Sequence, residues 1–203
     1  MPGWLDSLRS PRWDEVTIWA LDVELTGLDP RQAHLLSLGT VPIRGGVIVW
    51  GERWYTLVRP PSADAAATDA VPVHELLPDE LQTAPEVAGV VAELARRLTG
   101  AALLVHWKTL DVRVLKRVFR LSGVPWPHPW VIDTADLLGR VDHRRRIVEP
   151  EPVPTPTQLS AARRALGLPA HEEHHALYDA LATAELFLAL RNRLGLKRIR
   201  QLT

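Results

Sequence analysis

The 203-residue chain contains no cysteine, which excludes a disulfide framework and any thiolate-held metal and fits a reducing compartment. Its net charge is zero, with 24 Lys and Arg against 24 Asp and Glu. That balance excludes a strongly cationic body, so an anionic partner must be held locally, by bound cations or a basic patch. No apolar run approaches the roughly 20 residues needed to cross a bilayer, and the opening MPGWLDSLRSPRWDEV lacks a basic segment followed by an apolar one. These absences predict a soluble, cytoplasmic protein that does not engage a membrane. The rest is ordinary for a folded protein: 46% hydrophobic and 24% charged residues argue against disorder. The length suits one domain spanning 1–203, with its core at about 16–195.

The chain is organised around TIWALDVELTGLD, residues 17–29. Thr17 to Leu21 read as a strand covered on both faces. Side chains alternate along a strand, so Asp22 and Glu24 fall on one side, with Val23 on the other. Two like-charged carboxylates on a buried strand raise each other's cost of ionisation unless a cation lies between them. The pair therefore points to a divalent metal.

Residues 35–44 and 47–58 are β-rich and meet at Gly45-Gly46, which suits a tight hairpin. Three antiparallel strands at the start of the chain follow, with Trp4 and Trp13 laid across the surface. Thr83 and Glu86 have capping-box spacing, predicting a helix from there to about Thr99-Gly100. AALLVH (101–106) reads as a buried strand, Asp111 to Leu121 as a helix, and Val131-Ile132 as a further strand. That alternation implies a parallel part of the sheet. DHRRRIVEPEPVPTPT (142–157) mixes a charge cluster with alternating prolines and reads as a mobile loop. Helices are predicted at 158–166 and 175–194, closed by Gly167 and Gly195.

Further candidate site residues stand where elements begin or end. Asp111 opens the helix after the strand that ends at His106. His174 and Asp179 lie in HEEHHALYDALATAEL; at a separation of five they would not share a helical face, so His174 belongs on the loop or first turn, arched over the acid. Each has an ordinary reading as well. Asp111 alone would more often be a first-turn acid, and His174, among His171, Glu172, Glu173 and His175, would more often belong to a solvated cluster of polar side chains. Asp179 in an otherwise apolar helix needs a partner if buried, and a metal is the best candidate.

LDVELTG, VHWKTLD and HHALYDALATAEL, in that order, resemble the three motifs of the DnaQ-like family, in its DEDDh branch of 3′-to-5′ exonucleases. The resemblance runs from about residue 16 to 190 and includes LLSLGTVPIRGG and the VPVHELLPDEL loop with His74. The sister branch would have a tyrosine where His175 stands. The resemblance implies an α/β, ribonuclease-H-like fold with a mixed sheet of about five strands, the first three antiparallel and the rest parallel, flanked by helices. It also implies two-metal phosphodiester hydrolysis with Mg²⁺ or Mn²⁺. Asp22 would bridge the ions, Glu24 and Asp179 would hold the ion that activates water, Asp111 would serve the second ion, and His174 would be the general base.

The substrate would be DNA or RNA with a free 3′ end, and the product a nucleoside 5′-monophosphate. Any proofreading role would be served in trans to a polymerase, with freestanding repair or RNA trimming equally open. Leu25, Thr26, His106, Trp107 and Leu110 would line the terminal-nucleotide pocket. Leu25, Trp107-Lys108 and Leu110 depart from the family's usual residues and bear on substrate preference. Trp107 could stack on a base, and Arg144 to Arg146 could hold backbone phosphates. A catalytically silent scaffold subunit is the alternative.

Overall fold

The computed structural model describes residues 10–62, 76–149, 151 and 153–203. His74 and Trp4 lie outside them. The strands are β1 (Ile18–Leu25), β2 (Leu35–Arg44), β3 (Val47–Ile48), β4 (Trp54–Leu57), β5 (Ala102–Val105) and β6 (Trp130–Asp133). The helices are α1 (Pro78–Gln82), α2 (Val87–Leu98), α3 (Lys108–Leu121), α4 (Thr134–Val148), α5 (Leu159–Ala165) and α6 (Ala176–Leu194). The sheet has six strands in the order β3-β2-β1-β5-β6, with β4 also paired to β2. β1 runs antiparallel to β2 and parallel to β5, which is itself parallel to β6.

The alternation along β1 divides the core in two. Ile18 and Ala20 pack with Leu104, Ile132, Leu138 and the α6 residues Ala180, Ala184 and Phe187. Trp19, Leu21 and Val23 pack on the other face with Val91 and Leu94 of α2 and Leu115 and Phe119 of α3. Both faces of β1 are covered, as the uninterrupted apolar run requires. Asp22 and Glu24 continue the Ile18/Ala20 side, so they emerge on the face held by α6. The pairing with β2 slips between Glu24 and Leu25, an irregularity that re-aims the chain where the acids end.

α6 reaches this face because of one glycine. Gly39, paired with Asp22, faces the start of α6 so closely that a Cβ there would lie 2.3–2.4 Å from the Ala176 and Leu177 backbone. Only a residue without a side chain lets the helix descend on the sheet at that point.

Four expectations are corrected. The predicted 47–58 strand is broken into β3 and β4 by a 3₁₀ turn at Trp50–Glu52, so the sheet has six strands where about five were expected. The helix expected from Thr83 begins at Val87, because Thr83 closes the short α1 and Glu86 is the N-cap of α2. The loop expected over 142–157 starts later, since α4 runs unbroken to Val148. Thr155, within the remainder, is buried and tied through its N–H and hydroxyl to Asp142 at 2.9 and 2.6 Å. Trp13 is buried and not laid on the surface: its ring meets Phe187 edge-on at 5.8 Å.

Candidate active site

Asp22 and Glu24 leave the end of β1, and Asp179 comes from the first turn of α6 to meet them. The three carboxylates offer oxygens that all lie within 4.8 Å of one another. Asp111 stands outside that ring. It is buried in the first turn of α3 and lines, with Asp22 and Asp179, the same cavity of about 270 Å³. His106, Trp107, Leu110 and His174 line it too. Leu25 is buried in the core on the opposite face. The Thr26 hydroxyl accepts from the His34 N–H at 2.9 Å and so holds the end of the β1–β2 connection. Neither residue lines the cavity.

The electrostatics are those of carboxylates crowded into a partly enclosed cavity. Burial, then repulsion from Asp111, Asp179 and Glu24, raises the Asp22 carboxyl well above its ordinary range. Burial and the Asp179 charge push Glu24 up to about 7, and burial followed by the Asp133 and Glu24 charges pushes Asp111 up to about 8. No lysine or arginine ion-pairs with any of the four among the described residues. Hard oxygen donors, crowded, buried and unpaired by cationic side chains, suit Mg²⁺ or Mn²⁺.

Asp179 is held by the loop before α6. The His174 N–H donates to its Oδ2 at 2.8 Å, and the His171 ring lies 2.8 Å from its Oδ1. Nothing in the local pattern distinguishes His171 from its neighbours; the loop places it on the acid while leaving the His174 ring at the cavity. Arg163, buried in α5, anchors this loop, donating to the Pro169 and Ala182 carbonyls and to Glu185. His175 caps α6 and stacks on Tyr55 at a centroid distance of 4.6 Å.

The opposite wall hangs on Asp133. Its carboxylate accepts from the N–H groups of Trp107 (3.1 Å), Lys108 (2.9 Å) and Ala135 (2.9 Å), capping α3 and α4 together. The position carries a readable signal, an N-cap-type acid directly after the Val131-Ile132 strand. Trp107, half exposed, sits in the left-handed region at φ 68°, and His174 does so at φ 64°. Two non-glycine residues in that sparsely occupied conformation on one cavity mark a site whose geometry outweighs local backbone preference. His106 is buried: its Nε2 donates to the Thr157 carbonyl at 2.8 Å, and its Nδ1 pairs with the Thr134 hydroxyl at 2.7 Å. Because a carbonyl only accepts, Nε2 carries the proton. Burial, the main cause, lowers its pKa. His106 is therefore a neutral strut under the cavity.

The arginine run is mostly structural. Arg144 donates to the Leu194 carbonyl, and Arg145 pairs with Glu149.

A mixed sheet of this topology, with acids gathered where its central strand meets the last helix, defines a ribonuclease-H-like protein. The chain belongs to the exonuclease family: the family described as "Exonuclease" (RNase T) matches residues 19–187, and its relatives make it DnaQ-like. It is 33% identical over 195 residues to a DNA polymerase III subunit epsilon-like protein of Rhodobacter capsulatus, covering 93% of this chain and 25% of that one. It is 27% identical over 186 residues to DNA polymerase III subunit epsilon of Treponema pallidum, covering 87% and 77%. It is also 27% identical over 175 residues to a PolC-type DNA polymerase III of Thermotoga maritima, covering 86% and 12%. The chain thus spans an eighth to a quarter of the longer relatives. In fold it is similar to E. coli exonuclease I solved with a dT13 oligonucleotide, with a TM-score of 0.71, 18% identity and coverage of 89% of this chain and 42% of that one.

Proposed function

We propose that this chain is a metal-dependent 3′-to-5′ exonuclease that releases nucleoside 5′-monophosphates from single-stranded ends. The observation that carries the reading is the meeting of Asp22, Glu24 and Asp179 within 4.8 Å, with Asp111 across the same cavity. Asp22 would be shared between two cations, Glu24 and Asp179 would hold one, and Asp111 would hold the other. Such ions supply an activated water and neutralise charge on a phosphoryl group during in-line displacement. The His174 ring, free of the α6 backbone, would take the proton from the attacking water. Trp107 and Leu110, on the cavity wall, would face the terminal nucleotide.

An exonuclease I fold solved with dT13 and relatives named as DNA polymerase III or its epsilon subunit favour single-stranded DNA as substrate and a polymerase as partner. The test uses purified protein with Mn²⁺ and oligonucleotides labelled at the 3′ or the 5′ end, DNA and RNA side by side. The 3′ label should leave at once as mononucleotide while the 5′-labelled strand shortens stepwise. The same preparation of Asp22→Ala should release none. Equal release from that variant, or none from the wild type, would leave a binding or scaffold role in place of catalysis.

A further inference from the structure

At the other end of β1 from the acids lies a second cavity, of about 530 Å³, lined by Arg44, Arg53, Arg96 and Arg97 together with Trp19 and Glu52. The four guanidiniums come from three places: the end of β2, the turn before β4, and the last turn of α2. Two carboxylates answer them. Arg44 forks onto Glu52, and Arg96 and Arg97 share Glu93. Arg53 has no carboxylate partner among the described residues; it lies over the Trp50 ring at 4.5 Å and donates to the Trp50 carbonyl. Positive charge is left over.

Arg97 shows how that charge is presented. Its guanidinium lies 4.2 Å from the Trp54 ring and 5.6 Å from Trp19, so indoles cover its plane while its edge carries the N–H groups. The Nε is buried with no hydrogen-bond partner, so the protein itself leaves this guanidinium incompletely satisfied. The carbonyl end of α2 also favours cations, and Arg96 and Arg97 complement it. That accounts for neither Arg44 nor Arg53, which stand on other elements. We propose that this cavity binds a phosphate-type oxyanion, supplied as free phosphate or as the phosphoryl group of a nucleotide. Four converging guanidiniums with only two carboxylates to answer them match a tetrahedral oxyanion, which can take paired charge-assisted hydrogen bonds from them. The site is independent of the acid cluster, from which charge repulsion would exclude an anion in the absence of metal.

The experiment titrates the full chain in EDTA with inorganic phosphate, thymidine 5′-monophosphate and thymidine. Calorimetry is read alongside tryptophan fluorescence, because Trp19 lines the cavity. Saturable binding of phosphate and of the monophosphate, but not of thymidine, is expected. Arg53→Gln, at an exposed position, should weaken it roughly tenfold, the scale of one charge-assisted hydrogen bond, and Arg97→Gln should do likewise. A monophosphate bound tighter than phosphate identifies a nucleotide as the source; equal affinity identifies the free ion. No saturation by about 10 mM, a range too weak for a built site, or an unchanged affinity in Arg53→Gln overturns the proposal.

Discussion

Asp22, Glu24 and Asp111 all have carboxyl groups raised first by burial and then by neighbouring carboxylates, Asp179 and Asp133 among them. Without metal, the folded protein binds more protons at these groups than the unfolded chain does between the ordinary carboxylate range and about pH 8. Their contribution to stability is therefore fully present below that range and is lost as pH rises through about 7 and 8. Each such group can change stability by at most about 1.4 kcal/mol per pH unit, and 1 kcal/mol is worth about 2–4 °C at this size. Thermal melts in EDTA should fall by several degrees from pH 5.5 to 8.5, and saturating Mg²⁺ should flatten or reverse that slope. An EDTA melt that rises over this window would contradict the account. On the facing wall, Trp107→Asn keeps a residue that tolerates positive φ, so the melt should barely move. Any effect belongs in KM and base preference, and kinetics identical to wild type would remove Trp107 from the substrate's path.

Between elements, the site depends on how close α6 comes to β2. Gly39→Ala puts a methyl into the Ala176–Leu177 backbone, and neither partner is a flexible side-chain tip. The helix must shift. Overpacking of this kind costs about 1–3 kcal/mol, and it moves Asp179 away from Asp22 and Glu24. Activity should therefore drop on the order of 100-fold, since small misplacements at a reacting centre are amplified. Gly51→Ala, with open space around it, should match wild type in melt and turnover. If Gly39→Ala were equally silent, the approach of α6 would not be what sets the acid cluster. Metal uptake by the two variants would distinguish a lost site from a lost fold.

Much of this was legible because periodicity and punctuation are local signals. The Gly45-Gly46 hairpin has both glycines at positive φ, and Gly195 closes α6 in the left-handed conformation, as the glycine positions predict. The D-x-E alternation sent both acids to one face. What escaped depends on three-dimensional context. His143 to Arg146 look like a solvated coil, yet arginine is a good helix former, and only the later prolines break α4. Trp50–Glu52 interrupts an otherwise good strand pattern with a tight turn. The role of His171 on Asp179 arises from loop geometry, and the role of Gly39 from an encounter with a helix more than 130 residues later; neither leaves a local trace. The family resemblance implies a pocket role for Leu25 and Thr26; in the structure, strand alternation puts Leu25 on the face of Trp19, Leu21 and Val23, and Thr26 bonds the His34 N–H.

At the scale of the whole molecule, the chain has no net charge, and under the proposed function it would meet a polyanion through the small region where four acids from β1, α3 and α6 converge. If cations answer their repulsion, affinity for substrate should depend on divalent metal far more than on the body of the protein. Calorimetric titration of the metal-free protein with Mn²⁺ tests this most directly, because it needs neither substrate nor turnover. Saturable uptake of two ions is expected, with Asp22→Ala abolishing it, Asp111→Asn weakening one of the two steps, and protons released on binding at pH 7. Absence of saturable uptake, or uptake unchanged in Asp22→Ala, would contradict the account at its centre.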